Sequence, residues 1–102
     1  MPLQELQREV DEWIANFTSG YFKPLMMLAR LTEELGELSR AVSHKYGEKR
    51  PKPGEDPGEI ADEIGDLLFV LVCFANAEGI SLDQVWTGLR KKLYERDADR
   101  WK

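Results

Sequence analysis

Two pairs of carboxylates stand at helical spacing in this chain, Glu34 with Glu37 and Glu63 with Asp66. Residues three apart on a helix lie about 60° apart around its axis, so each pair aims two acids at one spot. Asp66 is followed by apolar residues as far as Ala75, which argues against full solvation of its carboxylate. Glu33 and Asp62 add further charge, and so many acids on two neighbouring helices destabilise a fold unless protons, basic side chains or a cation offset them. Salt bridges are the competing explanation for any single acid; for the group, a bound divalent metal is the expectation. All-oxygen donors suit Mg²⁺, with Mn²⁺ as a substitute, whereas zinc prefers cysteine or histidine. A di-iron centre needs Glu-x-x-His motifs, and the single histidine, His44, falls in an expected loop, where it reads as a surface residue without a role.

Helices must position these acids. In the first segment Leu3, Leu6, Val10, Trp13, Ile14 and Phe17 recur at three and four, and Thr18-Ser19-Gly20 ends the pattern. The second helix is expected to start near Pro24 and to bury Leu28, Leu31, Leu35, Leu38 and Val42, with Glu34 and Glu37 on a flank beside Met27 and Ala41. Prolines, glycines and mixed charge from His44 to Asp56 predict a mobile loop. Asp56 as N-cap, Pro57 at the first helical position and Glu59 as capping-box partner predict a third helix that runs to Glu78 and stops at Gly79. Ser81-Leu82-Asp83-Gln84 is a second capping box, Ile80 and Val85 can staple the turn, and Leu82, Val85, Trp86, Leu89 and Leu93 form the expected buried face of a fourth helix. The predicted architecture is an all-α, four-helix bundle-like domain over residues 1–102. The second half of helix 3 is apolar all round and must be surrounded, so oligomerisation, as a homodimer or homotetramer, is expected to complete the bundle.

Composition narrows the partners. With 14 Lys and Arg against 19 Asp and Glu, the net charge is −5, which argues against binding nucleic-acid polymers or anionic membranes through a general basic footprint. The opening Met1-Pro2-Leu3-Gln4-Glu5 lacks the basic-then-apolar pattern of a secretory peptide, and Asp66 and Asn76 keep the apolar stretch too short to span a bilayer. A lone cysteine, Cys73, fits a reducing compartment, so a soluble cytoplasmic protein is expected.

Magnesium held by carboxylates commonly bridges to phosphates, which calls for nearby cations. The segment from Arg90 to Lys102 has six cations against three acids, and Lys92, Arg96 and Arg100 fall four apart on one helical face. They are candidate phosphate contacts; the competing reading is a helix end whose cations complement the dipole and pair with Glu95, Asp97 and Asp99. Lys45, Lys49, Arg50 and Lys52 could close over a ligand or only keep their loop solvated. Trp13, Phe17, Tyr21 and Phe22 could stack on a base, although core packing is the commoner fate of such rings. Asn76 could read a base edge or join two helices.

The run Leu31-Thr32-Glu33-Glu34-Leu35-Gly36-Glu37-Leu38 together with Glu63-Ile64-Gly65-Asp66 resembles the Glu-Glu-x-x-Glu and Glu-x-x-Asp signature of MazG-like nucleoside triphosphate pyrophosphohydrolases, of the all-α NTP pyrophosphatase superfamily. The resemblance extends over most of the chain, through the apolar helix after Asp66, the Gly79-Ile80 turn and the segment from Lys92 to Trp101. It implies a Mg²⁺-dependent enzyme, dimeric or a dimer of dimers, that converts a nucleoside triphosphate to the monophosphate and pyrophosphate. By motif position it makes Glu34, Glu37, Glu63 and Asp66 the metal ligands, and Glu33 and Glu37 the acids expected to serve catalysis, Glu33 by supporting the site or orienting the attacking water. Lys92, Arg96, Arg100, Tyr21 and Trp13 are the expected substrate contacts, and the arginine at 96 departs from the resembled family's pattern, which often has an asparagine nearby. A noncatalytic nucleotide- or partner-binding module, and a related phosphoribosyl-ATP pyrophosphatase, are the alternatives the residues leave open.

Overall fold

Apolar residues at three- and four-residue spacing build four helices: α1 (Leu3–Ile14), α2 (Pro24–Tyr46), α3 (Ile60–Ala77) and α4 (Leu82–Glu95). The computed structural model describes residues 2–47, 51–55 and 58–96, and no strand occurs among them. The all-α expectation is met. Helices α2 and α3 pack along one another as a hairpin, α1 lies against α3, and α4 packs on α1. Val10, Met27, Val72 and Cys73 form the core, flanked by Leu6, Ile14, Tyr21, Phe74 and Leu82. Val72 is 0% exposed, and full burial of such a side chain stabilises a fold by about 1.5–3 kcal/mol.

Helix ends and crossings are fixed by named polar groups. Gly79, at φ 69°, lets the chain turn after α3, while the Ile80 and Gly79 N–H groups donate to the carbonyls of Ala75 (2.8 Å) and Asn76 (3.2 Å), a Schellman closure. Ser81 caps α4 as its sequence predicts, its hydroxyl accepting from the Gln84 N–H at 3.3 Å. Asp83 reaches across to the start of α1, where its carboxylate accepts the N–H groups of Leu3 (3.2 Å) and Gln4 (3.1 Å) and places negative charge at the positive end of the helix dipole. Gln7 then joins three elements: its amide donates to Asn76 Oδ1 and to the Ile80 carbonyl, both at 2.8 Å, and its oxygen accepts the Leu82 N–H at 2.9 Å. Asn76 returns a bond to the Gln7 carbonyl and another to the Tyr21 hydroxyl, each 2.9 Å. Its role here is to join helices.

Four expectations about the elements need correction. The buried face of α2 carries Met27, Ala41 and His44, with Leu31, Glu34 and Leu38 half-buried on the same side, whereas Leu28, Leu35 and Val42 are exposed. The face read as a flank is the packed one. Helix α2 also runs through His44 to Tyr46 instead of ending before the histidine, and His44 is buried with Nε2 3.7 Å from Glu55 Oε1. Helix α3 starts at Ile60 without a side-chain cap, because Gly58 at φ 76° cannot belong to a right-handed helix; Asp56 and Pro57 lie outside the described residues. Finally, α4 buries none of its residues: Val85, Trp86, Leu89 and Leu93 all stay substantially exposed, and of its expected face Leu82 packs against the core. The Cα radius of gyration, 16.9 Å, exceeds the roughly 13 Å of a compact domain this size, in line with a helix that stands away from the hairpin.

Candidate active site

The antiparallel run of α2 and α3 brings the two acidic pairs level with one another. Glu34 from α2 and Glu63 and Asp66 from α3 each offer a carboxylate oxygen, and these oxygens lie within 4.8 Å of one another. Glu34 is well covered, its side chain 13% exposed, while Asp66 faces solvent. Desolvation, and after it the charges of Asp66, Glu37 and Glu34, hold the Glu63 carboxyl above the ordinary carboxylate range, against a smaller opposing pull from Arg40. Loss of hydration comes first in this shift, and the neighbouring acids add to it. Hard oxygen donors converging on one point, with excess negative charge, fit a divalent cation such as Mg²⁺ or Mn²⁺.

Glu37 stands beside this group rather than within it: its Oε2 accepts from Arg40 Nη2 at 2.8 Å. Glu33 points outward, 65% exposed, with Oε2 3.7 Å from Arg30 Nη1. Arg30 Nη2 lies 3.3 Å from Glu34 Oε1, so this guanidinium borders the acidic group directly. Gly58 lies against the Glu63 side chain, and a Cβ at this position would come 2.9 Å from Glu63 Oε1. The absent side chain leaves room for the carboxylate.

One helical turn from the acids, between the α1–α2 connection and α3, lies an apolar cavity of about 330 Å³. Trp13, Phe17, Tyr21 and Phe22 line it together with Phe69 and Arg30. Trp13 and Phe17 meet edge to face, centroids 5.6 Å apart. The Tyr21 hydroxyl donates to Asp11 and accepts from Asn76, which leaves its ring to shape the wall. Burial first, then the bond to Asp11, pushes that hydroxyl from 10.0 up to about 12.

The expected phosphate cations are placed elsewhere. Lys92 and Arg96 are exposed at the end of α4, which packs on α1, and among the described residues no ion pair links either to the acidic group. Arg100, with Lys49 and Arg50, lies outside the described residues. Sequence reasoning missed Arg30 and Gly58. The first was legible as an arginine four before Glu34 on one helix; the second had no local signal, since its closeness to Glu63 arises only when the chain turns into α3.

Comparison with known proteins agrees with this geometry. Protein YpjD of Bacillus subtilis is 54% identical over 99 residues, spanning 97% of this chain and 89% of its own length. YvdC of the same organism is 30% identical and spans 86% of this chain and 92% of its own. A crystal structure of B. subtilis YpjD superposes with a TM-score of 0.80 at 53% identity, covering 91% of this chain and 93% of that one. That of the Bacillus-conserved MazG protein, a nucleotide pyrophosphohydrolase, gives 0.78 at 46% identity, with 94% and 93% covered. The family model of the MazG nucleotide pyrophosphohydrolase domain matches residues 22–101, a span that contains Glu33, Glu34, Glu37, Glu63 and Asp66, and the chain belongs to the MazG nucleotide pyrophosphohydrolase family.

Proposed function

We propose that this protein hydrolyses a nucleoside triphosphate to its monophosphate and pyrophosphate in a Mg²⁺-dependent reaction, as a single-domain enzyme of nucleotide-pool housecleaning in the cytoplasm. The observation that carries this reading is the group of three carboxylates from α2 and α3 one turn from an aromatic-lined cavity. Glu34, Glu63 and Asp66 would hold the cation, with Glu37 at their edge. When bound, Mg²⁺ offsets charge on the phosphoryl oxygens and lowers the pKa of water.

The remaining work belongs to the chain itself. Trp13, Phe17 and the Tyr21 ring receive the base and exclude water from it. Water attacks the α-phosphorus and pyrophosphate leaves. Arg40 occupies Glu37 Oε2, leaving Glu37 Oε1 to accept a hydrogen bond from the attacking water and hold it in line. Glu33 acts one step back, through its ion pair with Arg30. Lys92, Arg96 and Arg100 serve the leaving pyrophosphate from a second copy of the chain, since α4 of one protomer stands apart from the hairpin. The exposed apolar residues of α3 and α4, among them Leu68, Leu71, Trp86 and Leu89, support a homodimer, or a homotetramer built from it.

The test is a panel of standard and modified nucleoside triphosphates incubated with purified protein, with and without Mg²⁺. Monophosphate plus pyrophosphate, formed with Mg²⁺ and not in its absence, is the expected result. Diphosphate plus phosphate, or turnover indifferent to chelation, overturns the reading.

A further inference from the structure

Arg30 belongs to two places at once. It is one of the residues that line the apolar cavity, and its Nη2 lies 3.3 Å from Oε1 of Glu34, one of the three clustered carboxylates. The pair is asymmetric: the Glu34 side chain is 13% exposed, that of Arg30 46%. The carboxylate is held in place, while the arginine keeps freedom to move. A guanidinium and a dication compete for one carboxylate, because each neutralises it and they repel one another.

We propose that Arg30 is a substrate-contacting residue that guards Glu34 in the absence of metal and, once displaced from it, grips the α-phosphate of the nucleotide. The proposal rests on the pyrophosphohydrolase reading. Geometry selects the α-phosphate. Arg30 precedes Glu34 by one helical turn on α2, and on α3 the cavity residue Phe69 follows Asp66 by a similar step. A nucleotide with its base in the cavity and its outer phosphates at the acids therefore passes its sugar and first phosphate beside Arg30. Arginine suits the role, since its planar fork of donors matches two phosphoryl oxygens and its charge persists at every working pH. Among the described residues that line the cavity it is the one that is cationic, so it supplies the charge contrast between an apolar base slot and an anionic chain.

The test uses the full chain, with Arg30→Ala, Arg30→Gln and Arg30→Lys, and two binding measurements that need no turnover. Mn²⁺ alone is titrated calorimetrically, and the deoxynucleoside 5′-monophosphates are then titrated in saturating Mn²⁺. Removing the guanidinium should tighten Mn²⁺ binding by about threefold to tenfold and weaken monophosphate binding by about tenfold. Arg30→Gln should follow Arg30→Ala, while Arg30→Lys should keep part of the monophosphate affinity. The opposite signs are the signature, since a residue that merely supports the fold would weaken both, with a matching drop in thermal stability. Changes of one sign, or none, overturn the role of Arg30 while leaving the enzyme reading intact. A wild-type protein that binds neither Mn²⁺ nor any monophosphate overturns both.

Discussion

The α2–α3 hairpin and α4 carry the two halves of the proposed chemistry, acids on one and cations on the other, and they are supported in opposite ways. Along the hairpin, Met27, Ala41, Val70, Val72, Cys73 and Ala75 are buried, so Glu34, Glu63 and Asp66 are fixed by packed backbone on two sides. Helix α4 buries no residue, and its polar ties, through Asp83 and Leu82, lie at its first turn. A site that must hold a cation needs ligands whose positions are set before it arrives. A helix that only completes a phosphate pocket can take its place from a partner chain.

Exchanging the charge on each half sharpens this contrast most. Glu63→Gln removes a clustered carboxylate and should lower kcat/KM on the order of 10³-fold or more with the fold retained. Lys92→Ala should cost only about tenfold, chiefly in KM. Steady-state kinetics on both variants checks the pair, and an equal loss for Lys92→Ala with an unchanged assembly would place α4 at the reacting centre. A smaller effect comes from the apolar face of α4. Leu89 is 41% exposed within one chain, so Leu89→Lys should shift single-chain stability by no more than about 0.5 kcal/mol, whereas a dimer that buries this face should weaken by about 30-fold or more. Sedimentation across a concentration series measures it; an unaltered mass removes α4 from the interface.

What could be read from the sequence follows the same divide. The helices, the α3–α4 turn and the acidic pairs are local patterns: Ser81 and Gly79 appear in the fold as capping chemistry predicts, while of the four paired acids Glu34, Glu63 and Asp66 come together and Glu37 stands beside them. Faces and partners are not local. Leu28, Leu35 and Val42 look as buried as Met27 and Ala41 by spacing alone, and only the packing of α3 decides between two neighbouring stripes of one helix. Apolar patterning predicts a core face on α4 because it cannot tell a stripe that packs inside the domain from one that stays exposed. The prolines and glycines of the segment after His44 predict an earlier helix end than Tyr46, where α2 in fact stops. Gly58 owes its role to a contact between turn and helix that no spacing encodes.

Two glycines test how closely the hairpin is fitted around its acids. Gly58 and Gly79 both hold positive φ, 76° and 69°, so an alanine at either should cost about 1–2 kcal/mol in backbone strain. A Cβ at Gly79 meets nothing within 4 Å, whereas one at Gly58 meets Glu63 Oε1 at 2.9 Å. Chemical denaturation should therefore give similar losses for Gly58→Ala and Gly79→Ala, while Mn²⁺ titration should show weakened binding for Gly58→Ala alone. Equal Mn²⁺ affinities would mean that Glu63 moves aside freely and that the wall over it is not part of the site.

The smallest expected effect concerns the hydroxyl at the edge of the cavity. Burial and the bond to Asp11 raise Tyr21 to about 12 in the folded chain, against about 10 for an unfolded tyrosine. As pH climbs past the lower value the unfolded state sheds its proton first, so the stabilisation from Tyr21 is complete below about pH 10 and lost as pH rises through about 12. Tyr21→Phe should remove that alkaline slope and cost about 0.5–1.5 kcal/mol at neutral pH for the lost hydrogen bonding. The difference between the ultraviolet titrations of wild type and variant isolates this hydroxyl. A transition near pH 10 in that difference would show that the burial of this hydroxyl and its bond to Asp11 do not together hold in solution.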